Sequence, residues 1–158
     1  MPGGPELLAA GDQSYLEGVI REVLRWRPRV VDTVRELTGP MELAGHLLGV
    51  GTLVAVAPLL VHRHPERYFL PDAFFPERLI GGSVPNPATW IPFGGGTRRC
   101  LKVELALAEM EIVLGELLAA FTLEPTDARG ERACLSGTVL VPARGATAVL
   151  SRRGAALG

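Results

Sequence analysis

Seven prolines fall between residues 58 and 92: Pro58, Pro65, Pro71, Pro76, Pro85, Pro87 and Pro92. Each fixes its own φ and lacks a backbone N–H, so neither a continuous helix nor a central strand can run through them. The stretch from His62 to Pro92 is therefore predicted as ordered loop with one helical turn. Gly94-Gly95-Gly96 follows directly, then Cys100, then a helical pattern from Leu101 to Phe121. Any fold of this chain must end a long irregular segment in a glycine-rich loop that delivers a cysteine to a helix start.

The rest of the composition limits the possibilities further. The 158 residues carry 16 basic and 17 acidic side chains, for a net charge of −1. That balance argues against a nucleic-acid-binding domain and against a polybasic membrane-surface protein. With 47% hydrophobic residues the chain is not disordered by composition. Two cysteines, Cys100 and Cys134, do not make a disulfide scaffold. The start, Met1-Pro2-Gly3-Gly4-Pro5, has neither the basic nor the apolar region of a signal peptide. Leu43 to Val61 is free of charge, but Gly45, Gly49, Gly51 and Pro58 punctuate it like turns between strands, not like a spanning helix. The expectation is a soluble, cytoplasmic chain.

Residues 1–13 read as a frayed lead-in. Ser14 and Glu17 fit a capping box, followed by an apolar stripe of Leu16, Val19, Ile20, Val23 and Leu24 in a helix that Pro28 ends near Trp26. Residues 29–61 read as short strands and turns, with Thr52–Val56 a buried strand. The helix after Cys100 has two apolar faces. One holds Val103, Leu107, Met110, Leu114, Leu117 and Phe121, the other Leu101, Leu105, Ala108 and Ile112. A surface helix needs one such stripe, so two predict a helix sandwiched between two bodies. Thr138–Val141 and Ala146–Leu150 flank Pro142-Ala143-Arg144-Gly145 and read as a β-hairpin. His46 and His62 read as loop or surface histidines, Trp26 and Trp90 as packing residues, and Cys134 as a partly exposed free thiol.

Trp90-Ile91-Pro92-Phe93-Gly94-Gly95-Gly96-Thr97-Arg98-Arg99-Cys100 carries the chemistry. Glycines let the backbone turn sharply and approach a flat body. The helix start, Arg98 and Arg99 put positive potential beside the sulfur, a setting in which iron, zinc or an electrophile would meet a thiolate. The residues alone equally allow a flexible loop before a buried structural cysteine. Phosphate binding lacks the Gly-Lys-Ser/Thr ending, and a zinc site lacks further ligands at short spacing.

Phe93-x-x-Gly96-x-Arg98-x-Cys100 resembles the haem-binding signature of the cytochromes P-450, the haem-thiolate monooxygenases. Glu22-Val23-Leu24-Arg25 resembles the Glu-x-x-Arg of that family's K helix, and Phe74-Phe75-Pro76-Glu77-Arg78 its Pro-Glu-Arg element. Gly45…Gly51-Thr52-Leu53-Val54, His62-Arg63-His64-Pro65 and the segment around Val141–Gly145 are similar to the family as well. The signatures stand in the family's order and cover nearly the whole chain from Tyr15. The resemblance implies an α+β fragment of a mainly-α fold: K helix, short β strands, proline-rich meander, cysteine loop, long L helix and C-terminal β-hairpin. Residues 14–158 would be the C-terminal haem-binding part, without the family's I helix and the rest of the N-terminal two-thirds.

The resemblance also implies roles. Cys100 would be the axial thiolate ligand of iron in haem b, iron protoporphyrin IX. Arg98 and, more loosely aligned, Arg35 would bind haem propionates, Phe93 would shield the thiolate, and Gly96 would be a cofactor-binding position of the loop. Glu22, Arg25 and Arg78 would form a buried ionic triad. The spacing alone puts Glu22 and Arg25 on one helix face and reads equally as a solvated pair. A complete family member would insert one oxygen atom from O2 into a small organic substrate, with electrons from a ferredoxin or flavoprotein reductase. A non-catalytic remnant and a thiol redox or interaction module are the alternative functions. Three positions depart from the pattern: Lys102 where glycine is usual, Gly49 where proline is frequent and His64 where aspartate is. Lys102 bears on how closely the helix approaches haem.

Overall fold

A computed structural model describes Leu8 and residues 11–80, 86–126 and 130–153. Most of the expected lead-in, together with Pro85, lies outside the described residues. The first helix, α1, spans Gln13–Trp26 and is capped by Asp12, whose side chain accepts from the Tyr15 amide at 3.0 Å. Asp12 therefore takes the place expected of Ser14, because it lies one residue before the first helical turn and reaches the N3 amide. The buried face of α1 also differs from the expected stripe. It comprises Tyr15, Leu16, Gly18, Ile20, Glu22 and Arg25, while Val23 is exposed.

Among the described residues eight short strands form four antiparallel pairs. Strands β1 (Thr33–Glu36) and β4 (Leu53–Val56) enclose the hairpin β2 (Met41–Leu43) and β3 (His46–Leu48), and Arg35 stands opposite Val54. The strand expected to be buried, β4, has Leu53 67% exposed. Helix α2 is one short turn, Pro58–His62, and a 3-10 turn covers Pro76–Leu79. Helix α3 runs Val103–Ala120 and passes directly into β5 (Phe121–Pro125). The remaining strands are β6 (Ala133–Ser136), β7 (Val139–Pro142) and β8 (Ala148–Arg152).

The C-terminal strands lie near their expected places but pair differently. β7 pairs with β6, and β8 pairs with β5 across the register Phe121↔Arg152 to Pro125↔Ala148. The turn at Pro142–Gly145 thus links two ladders instead of closing one. Cys134, expected as a partly exposed free thiol, is free and exposed and stands in β6.

Helix α3 packs against α1 through one of its two apolar faces, with Val103 buried and Leu107, Met110, Leu114 and Leu117 half-buried. Its second face is uncovered among the described residues: Leu105 is 55% and Ile112 66% exposed. The core lies on the other side of α1, where the proline-rich segment folds back over it. Tyr68, Leu79, Trp90 and Ile91 are buried there, while buried Leu16 packs toward Gly115 of α3. Among the described residues no helix is long and apolar enough to cross a membrane.

Candidate functional site

Segment 62–80 has no strand partner among the described residues, so its carbonyls need other donors. Two arginines supply them. Arg25 uses all five of its N–H donors: Nε to Glu22 Oε2 and Nη2 to Glu22 Oε1, both at 2.8 Å, Nη2 also to Ala73 O at 3.1 Å, and Nη1 to the carbonyls of His62 (2.7 Å) and Pro71 (2.8 Å). Arg78 donates to the carbonyls of Phe69, Leu70 and Ala73, and its Nε reaches Glu22 Oε1 at 3.2 Å. Glu22 Oε1 also accepts the Phe75 amide at 3.0 Å. Glu22 and Arg25 are fully buried. The sequence-selected residues Glu22, Arg25 and Arg78 are thus brought together, on the face of α1 that the meander covers. A buried charge group of this kind is tolerable only because every polar atom is matched.

The meander is tied on at further points. Trp26 Nε1 donates to Asp72 O at 3.1 Å, Trp90 Nε1 to Arg21 O at 3.2 Å, and Tyr68 OH to Thr89 O at 3.0 Å. His62 was missed by sequence reasoning as a surface residue. It is fully buried, and its ring contacts both α1 and the segment entering the cysteine loop. The available signal was its spacing: His62 stands four residues after Pro58, which is also buried, at the end of the apolar run Leu59-Leu60-Val61. His46, by contrast, is exposed in β3.

The cysteine loop follows from buried Trp90, Ile91 and Pro92. Trp90 and Phe93 pack edge to face, with centroids 6.2 Å apart. Gly96 takes φ +62°, and a Cβ there would meet no atom within 4 Å, so glycine is needed for its backbone conformation and not for space. Gly96–Arg98 form one 3-10 turn, and the Cys100 amide donates to Phe93 O at 3.0 Å, closing the loop on itself. Cys100 precedes the α3 N-cap, Lys102, by two residues; its thiol is free and exposed, so it is not a buried structural cysteine.

Cys100, Arg98, Phe93, Gly96 and Arg35 all line one concavity of about 750 Å³. Val30, Val56, Pro58, Ile91 and Pro92 give it an apolar wall. Arg35 arrives from β1 and its Nη1 donates only to the neighbouring Val34 carbonyl at 2.8 Å, while Arg98 has no acidic partner among the described residues. Arg99 points elsewhere: it pairs loosely with Glu104 at 3.9 Å and lines a separate groove with Arg21 and Trp90. An apolar hollow with a free thiol and two cations without acidic partners fits a planar apolar cofactor that bears carboxylates, as haem does. Among the described residues no cluster of His, Cys, Asp and Glu could hold a metal ion by itself.

The sequence pattern of one family, Cytochrome P450, matches residues 5–148. The chain is 45% identical over 137 residues to the Mycobacterium tuberculosis protein named cytochrome P450 135B1, covering 87% of this chain and 29% of that protein. A second M. tuberculosis protein, named cytochrome P450 138, is 37% identical over 157 residues, covering 94% of this chain and 35% of that protein. The solved structure of cyanobacterial CYP120A1 with retinoic acid bound superposes with a TM-score of 0.78 at 30% identity, over 88% of this chain and 32% of that one. A cytochrome P450DA heme domain gives the same TM-score at 22% identity, which speaks to the fold alone. The chain spans about a third of the length of the relatives it matches. With the family pattern running through α1, the meander, the cysteine loop and α3, this chain belongs to the cytochrome P-450 family.

Proposed function

We propose that this chain is the cysteine side of a haem-thiolate monooxygenase, with Cys100 the axial ligand of haem b iron and Arg98 and Arg35 bound to its propionates. The observation that carries the reading is the convergence of Cys100, Arg98, Arg35 and Phe93 on one apolar-walled concavity. Bound haem would supply a redox-active iron on which thiolate donation favours O–O cleavage. The chain's own residues bind and orient. The Phe93 carbonyl holds the Cys100 amide and so fixes where the sulfur stands. The Phe93 ring, braced by Trp90, would pack beside the thiolate and shield it once haem is bound. Glu22, Arg25 and Arg78 hold the meander that carries the loop.

The whole monooxygenase would insert one O2-derived oxygen atom into a small organic substrate, with electrons from a ferredoxin or flavoprotein reductase. Residues 1–158 assayed alone are expected to bind haem without turnover, because Cys100 is exposed and one face of α3 is uncovered.

The test is spectroscopic. Haem-loaded chain, reduced and exposed to carbon monoxide, is expected to show the strongly red-shifted Soret band of thiolate-ligated haem. Cys100→Ala abolishes the band and Cys134→Ser keeps it. A band that survives Cys100→Ala overturns the ligand assignment. No haem binding at all overturns the haem reading and favours the thiol redox or interaction module.

A further inference from the structure

The imidazole of His62 sits between two backbone groups that together fix its state. Its Nε2 receives the Ile91 amide at 2.9 Å, and its Nδ1 lies 3.2 Å from the Arg25 carbonyl. An amide can only donate and a carbonyl can only accept, so the ring is the neutral tautomer with its proton on Nδ1. These partners lie far apart in sequence. Arg25 lies in the last turn of α1, and Ile91 stands two residues before Phe93. From Ile91 a short series of backbone bonds reaches the cysteine: the Ile91 carbonyl accepts Gly94 N at 3.0 Å, and the Phe93 carbonyl accepts Cys100 N at 3.0 Å.

Ile91 precedes Pro92, which has no N–H, so the Ile91 amide is the last donor before that proline. It is also buried, where an unmatched donor is unfavourable. The charged groups that act on the ring are Arg25 and Glu22 of α1, a bonded pair whose carboxylate Arg78 of the Pro76–Leu79 turn also reaches. Tyr68 presents its ring edge-on, with centroids 6.5 Å apart.

We propose that His62 is the positioning residue of the cysteine loop: its ring ties the Ile91 amide to the last turn of α1 and thereby sets where Cys100 stands. The functional consequence rests on Cys100 being the haem ligand; the positioning itself does not.

Two substitutions separate this role from core filling. His62→Gln places an acceptor near Nε2, within reach of Ile91, whereas His62→Asn reaches only to the Nδ1 position. Hydrogen exchange is measured on the haem-free chain. His62→Asn is expected to speed exchange at Ile91, Gly94 and Cys100 about tenfold, as loss of one buried hydrogen bond implies, with α3 unchanged. His62→Gln is expected to stay near the parent. In haem-loaded chain, His62→Asn lowers the share of the red-shifted carbonyl band and His62→Gln restores it. Equal behaviour of Asn and Gln, a worse result for Gln, or faster exchange spread evenly through α1 and α3 would overturn the proposal. If the parent chain shows no thiolate band, the haem reading fails while the exchange result still decides the positioning.

Discussion

Arg25 and His62 hold each other reciprocally across 37 residues: the guanidinium Nη1 donates to the His62 carbonyl at 2.7 Å, and the imidazole Nδ1–H faces the Arg25 carbonyl at 3.2 Å. Both side chains are fully buried. Burial pushes the imidazole down from 6.5 to about 4, and the Arg25 cation acts in the same direction, against the bond to the Arg25 carbonyl and the Glu22 charge. Between these two values the unfolded chain takes up a proton that the folded chain refuses. Stability therefore rises with pH through this window, is complete above about 6.5, and is lost as pH falls toward 4. The slope is about 1.4 kcal/mol per pH unit, so the whole effect is on the order of 3 kcal/mol. Urea midpoints measured from pH 7 to pH 4 should show it. His62→Gln should flatten the 4–6.5 window relative to the parent, since exposed His46 and His64 and all carboxylates are common to both. Parallel curves for the two proteins would contradict the assignment.

The Glu22–Arg25 pair should behave as a unit. Removing one member leaves an uncompensated buried charge, so Arg25→Met or Glu22→Leu is expected to destabilise by about 3–5 kcal/mol. The double substitution replaces both charges with apolar groups and should destabilise by clearly less than the sum. Arg78 limits the recovery, because its Nε also reaches Glu22 and its side chain is only slightly exposed. A double-mutant cycle by denaturant titration checks this, and strict additivity would argue for two independent contacts.

Two glycines on facing helices should respond with opposite sign to the same substitution. A Cβ on Gly18 would stand 2.7 Å from Ile80 Cγ1 and 3.1 Å from the Pro76 carbonyl, where α1 meets the Pro76–Leu79 turn. Gly18→Ala is expected to destabilise by about 1–3 kcal/mol through overpacking, despite the better helix propensity of alanine. A Cβ on Gly115 would meet Leu16 Cδ2 at 3.9 Å, an ordinary contact. Gly115→Ala should raise stability by up to about 1 kcal/mol. Thermal unfolding of the two variants distinguishes them, and a shared sign would mean that the approach of the turn to α1 is not close.

What could be read in the sequence follows the range of the interactions involved. The i, i+3 spacing of Glu22 and Arg25 is local, so their shared face was legible; its burial was not, because the cover comes from residues 62–78. Thr138–Val141 and Ala146–Leu150 were legible as strands, but they pair with β6 and β5 and not with each other, and a turn sequence carries no information about those partners. His62 lies in a polar string, His62-Arg63-His64-Pro65, and only its spacing from Pro58 signals the core. The two apolar stripes of α3 predicted two covering bodies; α1 supplies one, and Leu105 and Ile112 face none among the described residues. The cysteine loop was the most legible part, because its chemistry is contained in contiguous residues.

The two propionate arginines can be tested against a built-in control. Arg98 and Arg35 line the concavity with Cys100, whereas Arg99, the neighbour of Arg98 in sequence, lines the groove on the other side and already has Glu104 at 3.9 Å. A charge-assisted bond to a carboxylate contributes about 1.5–3 kcal/mol, so Arg98→Leu and Arg35→Leu should each weaken haem retention roughly 10- to 100-fold. Arg99→Leu should change it little. Haem transfer to an apo-globin acceptor measures the retention. The carboxylates can also be removed from the other partner: with haem whose propionates are esterified, the parent and Arg98→Leu should release it at similar rates. A persistent difference with the ester would mean that Arg98 acts on the loop and not on the propionate. Equal sensitivity of Arg99→Leu would mean that net charge, and not the side of the loop, governs binding.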